Sequence, residues 1–418
     1  MRDDVRTTGK RPRDAFTDMM TSVPKKFKSA TQQTEVVLQL PSFQSVRRQL
    51  SRHRAERCTP VPDPCNIPDV LRVTLRAREA DDDSPYKNEQ FLRYSGQQGK
   101  LLVFCCVTEL RVLYESEFVV CDGTFEVSPD TSYQLYTLHG FLHGEAMALV
   151  YALLPNKSRA TYVELFQALR DAFLTEFGDV GNSKTFLVDF EIAAIQALNS
   201  VFPDSRVKGC SFHFRQAVYR RVQREGLTSH YEDAGSGVRR WIRQLLAMTA
   251  LPTFAVPLVW SWLKAPPVVD PLTDVKTRNL AAYFDSTWIG GDFPASLWSQ
   301  YDNNGPRTTN VAEGFHNGLN SRFGMPHPSL RLFLDWLQKY QFEVQCRGLQ
   351  LLAGRPPKPR SAAYVQVDAD LWAAKLTYSL EYGRLFCCYG FVNADTMWQF
   401  RVVTDRYLAR VCYLVAGQ

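Results

Sequence analysis

Two aspartates stand where their carboxylates could bind a divalent cation. Asp122 ends an apolar run in EFVVCDGTFEV, and Asp189 ends another in KTFLVDF. Such runs predict β-strands, and an ionised carboxylate beside apolar neighbours is costly unless a cation or hydrogen-bond donors face it. If the two strands are neighbours, a cation would relieve the repulsion between the carboxylates. Oxygen ligands favour Mg²⁺ or Mn²⁺, and two such ions about 3.5–4 Å apart are typical of phosphodiester chemistry.

Each aspartate also has a local alternative role. Asp-Gly is a common hairpin-turn sequence, so Asp122 could simply begin a turn. Asp189 could cap the helix that begins with EIAA, and it could be both cap and ligand.

A third acid, Glu313, lies on a helix predicted from Asn310. Apolar residues occupy one face of this helix, and Glu313 shares another face with His316 and other polar residues. Asn310 and Glu313 also have the spacing of a helix capping box. The pattern alone therefore favours neither the capping role nor the ligand role.

Cysteine and histidine residues form one suggestive pair. Cys210 and His213 lie in GCSFHF with C-x-x-H spacing, which is too few ligands for a structural zinc ion. They could be a buried thiol beside a hydrogen-bonded histidine, or His213 could contact a scissile strand. Cys58, Cys65 and His53 match no standard zinc pattern, so no convincing zinc site is predicted.

The elements that must position these residues follow a definite order. Strands are predicted from Glu117, over 133–144 and over 145–156, with a tight hairpin at His143-Gly144. A helix, a strand at 184–190, a helix, the strand RVKGCSFHF and a helix with one basic side follow. This α/β order is typical of an RNase H-like domain. Right-handed crossovers then favour a mixed sheet in which the first and fourth of these strands are neighbours.

Composition divides the rest of the chain. The predicted regions are a disordered basic arm (1–34), an N-terminal α/β region (35–115), the α/β core (116–226), an all-helical insertion (227–306), a core helix with the third acid (307–350) and a C-terminal region (351–418). Five of the eight tryptophans fall in the insertion, where they could stack on DNA bases or form a core.

Charge is concentrated near the N-terminus. Residues 1–57 carry 13 Lys and Arg against 6 Asp and Glu, whereas the whole chain has a net charge of +6. Basic clusters at Lys10–Arg13 and Pro24–Lys28 resemble a bipartite nuclear-localisation signal, so a nuclear location is predicted. The sequence has no run of about 18 apolar residues, so no membrane span is predicted. The candidate DNA contacts are Arg215, Arg220, Arg221, Arg224 and Arg307.

The series CDGTF, LLPNKSRATYVELF, LVDFEIAAIQALNSVFP, VKGCSFHFRQAVYRRVQREGL and RTTNVAEGFHNGLNSRF resembles the Mutator-like element (MULE) transposases over about residues 115–345. The resemblance implies an RNase H-like core with a DDE triad at Asp122, Asp189 and Glu313, and a C-x-x-H pair at Cys210 and His213. His316 is a supporting candidate.

This resemblance implies a DNA transposase that uses Mg²⁺ or Mn²⁺ to hydrolyse phosphodiesters at transposon ends and transfer the strand. Its partners would be double-stranded DNA and further copies of itself, as a homodimer or higher oligomer. The chain lacks the Cys/His zinc arrays that many family members carry. The alternative is therefore a transposon-derived host protein that binds DNA or chromatin without transposition.

Overall fold

A computed structural model describes residues 64–389, except Glu79, and residues 394–416, with a few isolated positions nearer the N-terminus. Cys58, His53 and the two basic clusters, apart from Arg13, lie outside these residues. The predictions made for them, including the disordered arm, stay predictions, as does the division of the chain into domains.

The described residues form one seven-stranded mixed sheet. Its strands are β1 Leu92–Gly96, β2 Leu101–Phe104, β3 Phe118–Thr124, β4 Gln134–Leu142, β5 Glu145–Leu154, β6 Thr185–Val188 and β7 Arg206–Gly209. The order across the sheet is β1-β2-β5-β4-β3-β6-β7. Strands β1 to β5 pair antiparallel to one another, whereas β6 is parallel to both β3 and β7. The predicted pairing of the first and fourth core strands is confirmed.

Helices surround this sheet. They are α1 Asp69–Arg72, α2 Leu75–Arg78, α3 Val107–Glu115, α4 Arg159–Phe177, α5 Ile192–Val201, α6 Ser211–Arg224, α7 Thr228–Glu232, α8 Gly237–Ala247, α9 Ala255–Leu263, α10 Pro271–Phe284, α11 Ala295–Trp298, α12 Asn310–Phe323, α13 Leu330–Leu352, α14 Ala362–Tyr389 and α15 Ala394–Ala416. None of the helices in the described part of the chain has the length and apolarity that a bilayer crossing requires.

Successive side chains of a strand point to opposite faces of the sheet, and here both faces are apolar because helices bury the strands on both sides. Leu101 and Val103 of β2 belong to a cluster with α3, α4 and α5. Leu102 and Phe104, one residue out of phase, belong to a cluster with α12 and α13. The helix that carries Glu313 therefore lies against the sheet opposite α4.

The predicted hairpin between β4 and β5 is confirmed. His143 and Gly144 have φ values of 49° and 82°, which is the left-handed pair that a two-residue type I′ turn needs. This turn fixes the register in which His139 lies opposite Ala148, and a shift of register between Leu138 and His139 then places Thr137 opposite Tyr151.

A separate apolar cluster joins α6, the helices between residues 228 and 298, and the last two helices. Trp241, Trp260, Trp288 and Trp298 are buried in it, and Trp262 is partly buried against it. The indole nitrogen of Trp298 donates to the carbonyls of Trp288 and Phe293. These tryptophans form a core, so they are not available to stack on DNA bases.

Candidate active site

Asp122 lies inside β3, not at a turn. Strand pairing with β4 continues through Asp122 and Gly123 to Thr124, so the turn alternative is wrong. A Cβ at position 123 would collide with the side-chain amide of Gln134, so a larger residue there would displace that side chain. The Asp122 residue is almost completely buried.

Asp189 directly follows β6 and is aligned with Asp122. The parallel register pairs Phe118 with Thr185 and Val120 with Leu187, and the same offset brings Asp122 beside Asp189. Burial, followed by the negative charges of Glu191 and Asp122, raises the pKa of Asp189 to about 6. Asp189 is not the helix cap that the sequence offered as an alternative: α5 begins at Ile192 and is preceded by Glu191, whose backbone N–H donates to Asp189 Oδ1 at 3.3 Å.

Glu313 is not part of a capping box with Asn310. Helix α12 includes Asn310 as its first residue and is preceded by Thr309, with no side-chain cap. The Thr309 hydroxyl donates to Glu313 Oε1 at 3.4 Å, and His213 Nε2 lies 4.0 Å from the same oxygen. The Glu313 carboxylate thus faces the end of the sheet where α6 begins.

Cys210 and His213 join that helix to the strand ends. The Cys210 backbone N–H donates to Val188 O at 2.7 Å, next to Asp189, and its thiol accepts from Thr309 N at 3.3 Å. The adjacent Cys210 thiol, and then the charges of Asp189 and Asp122, raise the pKa of His213 to about 9. The negative charges of the two aspartates thus favour the protonated form of His213.

His316 contacts Asp122 directly. Its Nδ1 lies 3.3 Å from Asp122 Oδ2, and its Nε2 lies 3.1 Å from the Thr137 hydroxyl. That hydroxyl also lies 3.0 Å from His139 Nε2 and 3.3 Å from the Asp122 backbone oxygen. Burial, and then His316, lower the pKa of His139 to about 3, so His139 is neutral. We name Asp122, Thr137, His139 and His316 the histidine network.

Sequence reasoning missed Thr137 and His139. A signal was present, because YTLHG places two polar residues at alternate positions of a strand that is otherwise apolar on that face. Two buried polar side chains at such spacing must find partners within the protein. The Thr137 hydroxyl is the partner shared by His139 and by His316, which the sequence offered only as a supporting residue.

The structure thus brings six predicted residues to one end of the sheet: Asp122, Asp189, Cys210, His213, Glu313 and His316. His213 lies within electrostatic range of all three acids. Within the described ranges, no group of three or more His, Cys, Asp or Glu side chains is arranged to hold a metal ion. His213 is the residue that relates Glu313 to the two aspartates, and His316 contacts Asp122.

The candidate DNA-contact arginines are in different environments. The prediction that Arg215 contacts DNA is wrong. Only 9% of Arg215 is exposed, and its guanidinium donates to the Val415 carbonyl of α15, so it cannot reach DNA. Arg307 pairs with Asp368, and Arg221 pairs with Glu225 at 2.8 Å.

Arg220 and Arg224 remain exposed, one turn apart on α6. Residues spaced by four share one face of a helix. These two are therefore the arginines of the predicted set whose charges are most open to a polyanion.

Residues 118–217 match the family model of the MULE transposase domain. The match runs from β3 into α6 and includes Asp122, Asp189, Cys210 and His213, whereas Glu313 lies beyond it. No curated protein and no solved structure matches the chain significantly. The domain match indicates a transposase-type function.

Proposed function

We propose that the protein is a MULE-type DDE transposase with an RNase H-like core. The observation that carries the proposal is the alignment of Asp122 on β3 with Asp189, which directly follows the parallel strand β6, within the segment that matches the family model. The strand order supports the proposed core, since three antiparallel strands are followed by two parallel ones on the β3 side.

The proposed catalytic groups are Asp122, Asp189 and Glu313. The raised pKa of Asp189 fits this role, because a carboxylate buried near other carboxylates gains stability from a nearby cation. Bound Mg²⁺ or Mn²⁺ would activate the attacking oxygen and stabilise charge on the phosphate.

The protein's own residues would do the remaining work. The histidine network would orient Asp122 towards the site. His213, with its high pKa, would carry positive charge at neutral pH and would interact with a phosphate group of the scissile strand. Cys210 would hold the start of α12, and hence Glu313, against the sheet.

The proposed partner is double-stranded DNA at transposon ends, in the nucleus, with the protein acting as a homodimer or higher oligomer. Exposed Arg220 and Arg224 on α6, together with the net positive charge of residues 1–57, support binding to a polyanion.

The experiment is strand cleavage by the full-length protein on DNA that carries the terminal repeats flanking its gene. We expect cleavage with Mg²⁺ or Mn²⁺ that Asp122→Asn, Asp189→Asn and Glu313→Gln abolish. Asp335→Asn is the matched control, because Asp335 forms an i,i+4 pair with Arg331 on α13. Each variant should keep the wild-type circular dichroism spectrum.

The same experiment distinguishes the alternative function. A wild-type protein that binds the terminal repeats tightly but yields no cleaved strand with either metal would reject the transposase proposal. That result would favour a transposon-derived DNA-binding host protein.

A further inference from the structure

Two exposed aromatic side chains stand beside the candidate active site. Phe125 is 39% exposed and Tyr133 is 53% exposed, and their ring centroids lie 5.3 Å apart at an interplanar angle of 69°. The nearby large aromatics Tyr136 and Tyr162 are buried. A pair of exposed aromatic rings next to a catalytic region indicates a binding surface.

Backbone hydrogen bonds hold this pair in place. Tyr133 N–H donates to Leu154 O at 2.9 Å, and Ser128 N–H donates to Phe125 O at 3.2 Å. The Ser128 hydroxyl then donates to Ser132 O at 3.0 Å. The rings therefore flank a closed loop, and binding would require little ordering of the backbone.

A lysine connects the aromatic pair to the acids. Lys157 Nζ lies 4.4 Å from the Phe125 ring centroid and 3.2 Å from Glu191 Oε2. The Glu191 backbone N–H donates to Asp189 Oδ1, so Glu191 contacts both Lys157 and Asp189. Phe125 follows Asp122 by three residues. We name Phe125, Tyr133 and Lys157 the aromatic platform.

The platform combines two exposed aromatic rings with a positive charge. Exposed Arg159 begins α4 two residues after Lys157, which adds a second cation. A ligand that is planar and aromatic at one end and anionic at the other is complementary to this surface, and a nucleotide has that chemistry. Bases inside a duplex are already stacked on one another, so only an unpaired base can lie on a protein ring.

We propose that the aromatic platform binds an unpaired nucleotide of the DNA strand next to the scissile phosphate, with the base stacked on Tyr133 and the phosphate near Lys157. The proposal rests on the proposed function for its choice of DNA as the substrate. It adds a preference for DNA whose end is frayed or single-stranded at the site of reaction.

The test measures DNA binding by the full-length protein in EDTA, where no metal-dependent cleavage occurs. The probes are a blunt duplex and the same duplex with a three-nucleotide single-stranded extension that contains 2-aminopurine. Stacking on a ring quenches the fluorescence of 2-aminopurine. Wild-type protein should bind the extended duplex more tightly and quench the probe.

Tyr133→Ala should weaken binding of the extended duplex about tenfold, as loss of a stacking aromatic does, and should abolish the quenching. Binding of the blunt duplex and the salt dependence should stay unchanged, because tyrosine carries no charge. Tyr133→Phe should behave like the wild type. Tyr86→Ala is the matched control, since Tyr86 is 44% exposed, lies in the segment before β1 and has Arg76 3.8 Å from its ring centre.

Several outcomes would overturn the platform: an equal effect of Tyr133→Ala on both duplexes, no effect on either, or no DNA binding by the wild type. Competition by free deoxyadenosine monophosphate at the concentration at which the extended duplex binds would assign the site to free nucleotides instead. The proposed cleavage activity is judged separately. Normal quenching with no cleaved product in Mn²⁺ would keep the platform and reject the transposase.

Discussion

The histidine network makes a quantitative prediction for Thr137, which is fully buried. Thr137→Val keeps the shape of the side chain but removes the hydroxyl that contacts His139 and His316. Each imidazole Nε2 then loses a partner inside the protein. A buried polar group without a partner costs about 1–3 kcal/mol, so two of them should lower the free energy of unfolding by about 2–6 kcal/mol.

Thr137→Ser is the matched control, because it keeps the hydroxyl and loses one methyl group. Loss of a buried methyl group costs about 1 kcal/mol. The valine variant should therefore be the less stable of the two. Simple apolar burial and strand propensity predict the opposite order, since valine is the better strand former.

The assay is urea unfolding followed by tryptophan fluorescence, which reports on buried indoles such as Trp288 and Trp298. The slope of free energy against urea should be unchanged, so that the midpoint alone moves. A valine variant as stable as the serine variant, or more stable than the wild type, would refute the hydrogen-bond assignment around Thr137.

The network also predicts coupling between Thr137 and His316. In a double-mutant cycle with Thr137→Val and His316→Gln, the interaction energy should be about 1 kcal/mol or more, because the two side chains share a hydrogen bond. If Asp122 is a metal ligand, Thr137→Val should also shift the Mn²⁺ dependence of cleavage to higher concentration, whereas Thr137→Ser should not. Strictly additive stabilities would contradict the contact.

Further predictions concern charge. Because the pKa of Asp189 is raised, ionising its carboxylate destabilises the folded protein as pH rises from about 4 through about 6. Asp189→Asn should therefore stabilise the metal-free protein at pH 8, by on the order of 1 kcal/mol, but not at pH 4. Urea unfolding at both pH values measures this difference. Hydrogen bonds from Arg347 lower the pKa of Glu145 to about 2. Glu145→Gln should therefore lower the free energy of unfolding by on the order of 1–3 kcal/mol at pH 7. This difference from the wild type should shrink below about pH 4.5 and vanish near pH 2. Deleting residues 1–34 should make the salt dependence of DNA affinity shallower and reduce nuclear accumulation of a fluorescent fusion; an unaltered slope with unaltered localisation would show an inert arm.

The sequence alone was sufficient to predict the positions of the two aspartates. Asp122 and Asp189 each follow an apolar run, and the handedness of crossover connections makes the strands that carry them neighbours. The hairpin at His143-Gly144 was equally predictable, because its residues suit a turn with positive φ. These features depend on local pattern and on a general rule of chain connection.

Other features could not be read from local pattern. The sequence predicted an α/β region before residue 115, but not that β1 and β2 extend the same sheet beyond β5. The capping roles that the sequence offered as alternatives for Asp189 and Asn310 were wrong by one or two residues, since helix ends depend on which partner satisfies the first N–H groups.

Only the tertiary structure decided what faces Asp122 and what covers Arg215. His316 and Thr137 are 179 residues apart in the chain, and Arg215 and Val415 are 200 apart. Periodicity tells which face of a helix is buried, but it does not tell which distant element lies on that face. A basic side chain on α6 could thus be predicted to contact DNA and yet be buried under α15, because long-range packing and not residue type determines its partner.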